Sequence, residues 1–173
     1  MDVKDIRNIV FLSHSNAGKT SLLDSILFAV GANTRPGSVD EGTSMCDFSP
    51  DEIERKITID PKVLTIEKDG KRINLLDTPG YADFIGGVIS SIHAADCGLC
   101  VVCGVNAVEV GTSRAWDMLK EQNKPMFLFI NKLDKEHSNF EKTIETIQKE
   151  FGKNCVPVTY PIGKETSFQK VIN

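Results

Sequence analysis

The sequence lacks the features that mark membrane-spanning, secreted and strongly nucleic-acid-binding proteins. Its 173 residues contain no apolar run near the roughly 18 residues of a transmembrane helix, and the charged start at residues 1–5 does not resemble a signal peptide. The formal net charge of −4 gives no general attraction to nucleic acid. Internal repeats and low-complexity segments are absent from the sequence. We therefore expect a cytoplasmic protein with no membrane association and no direct sequence-specific DNA binding.

The sequence also lacks a cysteine pattern that predicts disulfides or a metal centre. Its five cysteines fit a cytosolic protein as free thiols. Cys97, Cys100 and Cys103 are spaced like iron–sulfur ligands, but they belong to an apolar run that predicts a buried strand. On a strand Cys100 points to the opposite face from the other two. We interpret all three as small core residues.

Strand and helix patterns alternate along the chain, which is typical of one α/β domain. The composition, 40% hydrophobic and 25% charged, is that of a globular protein with a sizeable core. Asp69-Gly70 lies between two strand-like runs and predicts a hairpin. The sheet should therefore be mostly parallel, with one antiparallel edge strand and helices on both faces. Strands are predicted at residues 8–12, 63–68, 71–76, 97–105, 125–130 and 156–160, and helices at 21–30, 84–92, 112–122 (capped by Thr112 or Ser113) and 138–151.

A predicted strand, a tight loop and a predicted helix surround residues 13–20 in the pattern of a phosphate-binding loop. The loop amides and the helix N-terminus would face one anion. Lys19 would bring positive charge to the outer phosphates, and the Thr20 hydroxyl would bind Mg²⁺. However, Ser13 replaces the first glycine of the pattern, and Gly-Lys-Thr alone also fits an ordinary strand-to-helix turn. The candidate residues are Ser13, His14, Ser15, Asn16, Ala17, Gly18, Lys19 and Thr20.

Two further loops follow strands at the same expected edge of the sheet. Asp77 could hold Mg²⁺ through water and the Gly80 amide could bind a terminal phosphate, although a capped turn before a helix also explains this motif. Asn131 offers its amide to the Hoogsteen edge of a purine and to a loop, and Asp134 is an acceptor that matches the two donors of guanine but not adenine. Together with the phosphate loop, these motifs predict a guanine-nucleotide site. Their residues are Asp77, Thr78, Pro79, Gly80 and Tyr81, and Asn131, Lys132, Leu133 and Asp134.

The three motifs resemble the nucleotide motifs of translational GTPases, and further detail resembles elongation factor G. His14 in the phosphate loop carries this likeness, as do residues 106–110 and 161–163. Residues 54–59 read Glu-Arg-Lys-Ile-Thr-Ile and are similar to the family's Glu-Arg-Gly-Ile-Thr-Ile at the end of switch I. The resemblance implies a P-loop NTPase G domain in which Thr58 closes over Mg²⁺ and the γ-phosphate of GTP. It also implies that the Asp77 loop is switch II.

Residues 31–58 show little periodicity, which in a compact domain indicates a mobile functional loop. Within it, Lys56 replaces the family's usual glycine, which would change the conformational range of the switch. In switch II, Tyr81 replaces the histidine expected to orient the attacking water, as in the divergent elongation factor G-like subgroup. The chain stops just after residues 161–163, where the family's inserted subdomain begins.

From this resemblance we expect residues 1–155 to form a G domain without its last motif, and residues 156–173 to begin the inserted subdomain. Residues 156–160 would then cover or border the open edge of the sheet. The chain would be the N-terminal part of a longer protein.

The resemblance implies a ribosome-associated factor that binds GTP and GDP and hydrolyses GTP. A GTP-binding switch or scaffold with little hydrolysis is the alternative, for which Tyr81 is the discriminating residue. Asp134 disfavours an ATP-using enzyme. The Asn16 side-chain oxygen suits K⁺ or Na⁺ near the phosphates, but it equally suits a residue that only caps its turn. The implied catalytic residues are Lys19, Thr58, Gly80 and Tyr81, and the implied Mg²⁺ ligands are Thr20, Thr58 and Asp77.

Overall fold

The computed structural model describes residues 2–173 and contains a central five-stranded sheet. Its strands are β1 (Ile6–Ser13), β2 (Lys62–Lys68), β3 (Lys71–Asp77), β4 (Cys97–Cys103) and β5 (Met126–Asn131). The order is β2–β3–β1–β4–β5. β2 and β3 pair antiparallel across the Asp69-Gly70 turn, and the other three pairs are parallel. The predicted parallel sheet with one antiparallel edge strand is confirmed.

Helices pack on both faces of this sheet, as the alternation of strands and helices predicted. They are α1 (Lys19–Ala29), α2 (Pro50–Arg55), α3 (Ile85–Ala94), α4 (Val110–Glu121) and α5 (Phe140–Phe151). Leu23 of α1 packs with Phe11 on one face, whereas Ile92 of α3 and Leu119 of α4 pack with Val10 on the other. Neighbouring residues of β1 thus point into two separate core clusters. Within residues 2–173, no helix combines the length and the apolar character needed to cross a bilayer.

The helix starts show where the local pattern was wrong. α2 lies inside the stretch expected to be a structureless loop, and its N-cap is Ser49. α4 begins at Val110 with Glu109 as its N-cap, so neither Thr112 nor Ser113 caps it. The reason is that Thr112 lies inside the first turn and is only 1% exposed, packed in the core.

The C-terminal residues form a separate unit of two short strands, β6 (Tyr160–Ile162) and β7 (Lys170–Ile172), which pair antiparallel with each other. The predicted strand over residues 156–160 is therefore wrong, and it does not pair with β5. Pro157 removes a backbone donor from that segment, and the chain turns at Gly163, whose φ is +82°. Phe127 of β5 stays 62% exposed.

Two of the three cysteines of β4 lie in the core as predicted, whereas Cys97, at the start of the strand, is only half-buried. Cys100 lies with Val10 in the core cluster beneath α3 and α4, whereas Cys103 packs with Val101 on the opposite face. Residues 2–173 hold no group of three or more His, Cys, Asp or Glu side chains placed to bind a metal ion.

The single tryptophan of the sequence joins the last two helices. Trp116 of α4 stacks on Phe151 of α5 with ring centroids 4.3 Å apart and planes inclined by 10°. Offset stacking of this kind adds to the burial of both rings. It fixes the end of α5 against α4.

Candidate functional site

The phosphate-loop sequence forms a tight turn between β1 and α1. Gly18, the residue before α1, has a φ of +91°, which L side chains rarely adopt. A Cβ atom at Gly18 would also collide with the side chain of Asn131. Glycine is therefore required here both for its backbone conformation and for close contact with the loop after β5.

Four side chains from three separate segments meet beneath this turn. Lys19 Nζ lies 2.6 Å from Asp77 Oδ1, and the Thr20 hydroxyl donates to Asp77 Oδ2 at 3.2 Å. The Thr20 and Thr58 hydroxyl oxygens are 3.1 Å apart. All four residues are buried. The structure thus brings together the phosphate loop, the end of the segment between α1 and β2, and the loop after β3.

The loop after β3 packs directly on the phosphate loop. The buried Thr78 hydroxyl donates to the carbonyl oxygen of Phe11 at 2.6 Å. Pro79 is buried, and a Cβ atom at Gly80 would lie 3.0 Å from the Cα atom of Ser15. Tyr81 is half-buried and lines the cleft that the phosphate loop borders.

The loop after β5 braces the phosphate loop from the other side. Asn131 Nδ2 donates to the carbonyl oxygen of Ala17 at 3.0 Å, and Lys132 Nζ donates to the carbonyl oxygen of Asn16 at 2.6 Å. Of the two partners expected for the Asn131 amide, the loop is the one it contacts here. The Asp134 side chain is 59% exposed, with its Oδ2 atom 3.7 Å from Lys135 Nζ.

Leu133 lines a second, smaller cavity of about 310 Å³ next to β6. It does not line the main cleft, whose wall contains Lys132 of the same motif.

The main cleft has a volume of about 670 Å³, which is within the usual range for a small-molecule site. Its wall contains all eight residues of the phosphate-loop motif, Thr58, Gly80 and Tyr81. Positive charge dominates the lining, which favours an anionic ligand. The lysine and arginine side chains are Lys19, Arg55, Lys56, Lys132 and Lys135.

Sequence reasoning missed two buried carboxylates in the segment between α1 and β2. Asp47 lines the cleft, is 3% exposed, and has one oxygen, Oδ1, without a hydrogen-bond partner. Burial raises its pKa to about 6 despite a hydrogen bond from Thr58. Glu52 of α2 is fully buried. The capping-box pattern Ser49-Pro50-Asp51-Glu52 could have revealed α2, but no local pattern marks Asp47.

His14 links the phosphate loop to the start of α4. Its Nδ1 atom accepts a hydrogen bond from the Gly111 amide at 3.3 Å, and its Nε2 atom lies 3.7 Å from Glu109 Oε1. A Cβ atom at Gly111 would lie 2.8 Å from the Cα atom of His14, so the contact needs glycine.

Comparison with known proteins identifies close likenesses for nearly the whole chain. Residues 4–171 match the family model described as "Elongation factor Tu GTP binding domain". An elongation factor G-like protein of Mycobacterium tuberculosis is 37% identical over 158 residues, which cover 91% of this chain and 22% of the relative. Elongation factor G of Thermotoga neapolitana is 37% identical over 173 residues, covering 100% of this chain and 25% of the relative.

A solved structure of a protein from Thermus thermophilus superposes with a TM-score of 0.91 and 31% sequence identity. The match covers 96% of this chain and 25% of that chain. The chain thus spans about a quarter of the length of the relatives it matches.

Proposed function

The chain belongs to the family of elongation factor Tu GTP-binding domains, and from this membership we propose that it binds GTP and hydrolyses it to GDP and phosphate. We place this activity in an elongation factor G-like protein that acts on the ribosome in the cytoplasm. The observation that carries the proposal is the contact among Lys19, Thr20, Thr58 and Asp77 at one end of the cleft. These residues come from the three segments that must act together on a nucleoside triphosphate.

The donor set at this contact suits Mg²⁺. Thr20, Thr58 and Asp77 would hold the ion, since it prefers hard oxygen ligands. Asp47, whose side chain is hydrogen-bonded to Thr58, supports this fit because its buried Oδ1 atom has a hydrogen-bond requirement that the described residues leave unmet. Mg²⁺ bound by these residues would supply positive charge to offset that of the nucleotide phosphates.

The residues of the chain supply positioning and charge in this proposal. Lys19 contacts the outer phosphates, and the Gly80 amide donates to the γ-phosphate. Tyr81 orients the water that attacks the γ-phosphorus, while the bond to the bridging oxygen breaks and GDP leaves. A phenol is a poor base but an adequate hydrogen-bond partner. Positioning is what this reaction needs most.

Guanine specificity is assigned to Asp134. Asp134→Asn in the complete protein should weaken GTP binding and favour xanthosine triphosphate, because a polar site that loses its partner can discriminate by roughly 10⁴-fold. A competition titration with GTP, ATP and xanthosine triphosphate measures this. Glu136→Gln, an exposed change in the same loop, is the control and should bind GTP like the parent. Tighter binding of ATP than GTP by the parent would exclude the proposal.

Tyr81 separates hydrolysis from a pure binding switch. Single-turnover GTP hydrolysis on the ribosome should slow in Tyr81→Phe and persist in Tyr81→His. The other tyrosine, Tyr160, is exposed on β6, and Tyr160→Phe is the matched control. A Tyr81→Phe variant as fast as the parent would remove the hydroxyl from catalysis. No hydrolysis by the parent would instead favour the binding-switch function.

A monovalent cation is the second proposed cofactor. Asn16 lines the cleft with a φ of +60°, and its side-chain oxygen would bind K⁺ or Na⁺ beside the phosphates. GTPase rates in KCl, NaCl and a bulky-cation salt at equal ionic strength test this. Equal rates in all three salts would discard the ion.

We also propose that residues 156–173 begin an inserted subdomain. The separate pairing of β6 with β7 supports this division. This unit also contacts the G domain. The rings of Phe140 and Tyr160 pack edge-to-face with their centroids 5.8 Å apart, and the His137 amide donates to Glu165 Oε1 at 3.1 Å.

A further inference from the structure

The carboxylate of Glu52 is buried although its helix lies at the surface. Its side chain is 0% exposed, whereas Asp51 and Glu54 of the same helix are exposed. Glutamate is almost never fully buried unless it is paired. The surroundings of this carboxylate therefore have to explain its position.

Both oxygens of Glu52 are hydrogen-bonded, and their donors lie on the two sides of Thr58. The Oε2 atom accepts from the Ser49 hydroxyl at 2.9 Å and from the Ser49 amide at 3.3 Å. The Oε1 atom accepts from the amides of Ile59 at 3.0 Å and Asp60 at 3.2 Å. One carboxylate thus ties the start of α2 to the backbone that follows Thr58.

An ion pair completes the arrangement. Lys62 Nζ donates to Glu52 Oε1 at 2.8 Å, and the Lys62 side chain is only 12% exposed. Burial on its own would raise the pKa of Glu52, but Lys62 and the hydrogen bonds from Ile59, Ser49 and Asp60 lower it to about 2. The carboxylate is therefore charged throughout the physiological pH range.

The far end of the tied segment is fixed against the rest of the domain. Pro61 lies so close to Gly87 of α3 that a Cβ atom there would come within 2.6 Å of the proline ring. The amide of Ile59 belongs to the peptide that follows Thr58, so holding this amide sets the position of Thr58. The Thr58 hydroxyl is thereby kept 3.1 Å from that of Thr20.

We propose that Glu52 is a positioning residue that holds Thr58 over Thr20 and Asp77, and that it thereby sets the preference of the protein for GTP over GDP. This rests on the proposed function, in which Thr58 serves the triphosphate state. Glu52 acts through the backbone of residues 59–60 and does not touch the nucleotide.

The test compares Glu52→Gln with the parent in the full-length protein. Affinities for GDP and for a non-hydrolysable GTP analogue are measured by calorimetry. We expect the analogue to bind roughly 10- to 100-fold more weakly, the effect of losing charge-assisted hydrogen bonds, while GDP binding changes less than about twofold. Glu54→Gln, an exposed change on the same helix, is the control and should leave both affinities unchanged.

Limited trypsin digestion gives a second readout, since Arg55 and Lys56 are exposed at the end of α2. With the analogue bound, Glu52→Gln should be cut there faster than the parent. The double variant Glu52→Gln/Lys62→Met should recover protection, because the glutamine oxygen still accepts from the two amides and no unpaired ammonium remains.

Three results would overturn the proposal. Equal losses of GDP and analogue binding would mean that Glu52 serves overall stability, and unchanged analogue binding would mean that it does not position Thr58. A double variant cut as fast as the single one would exclude action through the amides. A parent that binds neither nucleotide would instead refute the proposed function, and the positioning role with it.

Discussion

The segment between α1 and β2 contains two buried carboxylates whose pKa values are shifted in opposite directions. In the first part, residues 44–47, Asp47 is buried with one oxygen unpaired, and burial raises its pKa to about 6. In the second part, residues 49–62, Glu52 is buried with both oxygens hydrogen-bonded, and its pKa falls to about 2. A carboxylate that the fold satisfies thus lies close in the chain to one that it does not.

The difference lies in how far the protein itself satisfies each carboxylate. A buried polar atom without a partner costs free energy, whereas a fully bonded one does not. Among residues 2–173, the two buried side-chain atoms without a partner are Asp47 Oδ1 and Asp24 Oδ2. Asp47 belongs to the first part, and Asp24 contacts it, because the other oxygen of Asp24 accepts from the amide of Met45 at 2.9 Å. The second part is held by the protein itself.

Disrupting the ion pair of Glu52 should have the largest effect on the local stability of the segment. In Glu52→Gln, the hydrogen exchange of the Ile59 and Asp60 amides should accelerate by roughly 100-fold, since disrupting a buried ion pair costs about 3 kcal/mol. NMR-detected exchange of the nucleotide-free protein measures it. Exchange at the amides of β5, at the opposite edge of the sheet from β2, is the internal control. Unchanged protection at both amides would show that the segment is held by other contacts.

Removing the charge of Asp47 should stabilise the fold rather than destabilise it. Asp47→Asn should raise the free energy of unfolding of the Mg²⁺- and nucleotide-free protein by about 3 kcal/mol at pH 7.5. The reason is that a buried acid whose pKa rises from 3.8 to about 6 destabilises the fold while it is charged, by about 1.4 kcal/mol for each pKa unit. Urea unfolding measures it. The exposed change Asp51→Asn on α2 is the control and should alter the free energy little.

The pH dependence gives this second prediction its sign. The folded pKa of Asp47 lies above the ordinary aspartate value of 3.8, so the parent loses stability as pH rises from about 4 to 6. The advantage of Asp47→Asn should therefore disappear below pH 4. A gain of the same size at pH 4 would contradict the raised pKa. Glu52 has the reverse sign: its stabilisation is complete above 4.5, the ordinary pKa of a glutamate, and is lost as pH falls toward 2.

The smallest effect on stability is expected at Lys56, the C-cap residue of α2. Lys56 has a φ of +56°, a left-handed conformation that costs a non-glycine residue roughly 1 kcal/mol. Lys56→Gly should stabilise the segment by about this amount in urea unfolding. Lys56→Ala keeps the strain and loses only a 3.9 Å contact with exposed Asp40, so it should not. Equal gains in both variants would assign the effect to charge.

The parts of the fold that are specified locally were predictable from the sequence. The loop between β1 and α1 depends on Gly18, and the hairpin depends on Asp69-Gly70, so short patterns sufficed for both. The order of motifs along the chain also placed the loops that carry Lys19 and Asp77 at one edge of the sheet, because parallel strands have their carboxyl ends there.

Features that depend on distant partners were not predictable. Glu52 is buried because Lys62, on the following strand, pairs with it, and no periodicity indicates such a partner. α2 has only six residues, fewer than two turns, so its apolar pattern is too short to detect and only the capping box marks its start. β6 pairs with β7 after the chain turns at Gly163. The apolar residues at 156–160 instead suggested one strand that ends before this turn.

The stack of Trp116 on Phe151 has a consequence for spectroscopy. As the only indole in the sequence, Trp116 dominates the intrinsic fluorescence. It reports on the packing of α4 against α5 rather than on the segment that carries Glu52 and Asp47. Its emission should therefore stay constant when that segment opens and change only when the domain unfolds. The fluorophore needed to distinguish the two events is already present in the chain.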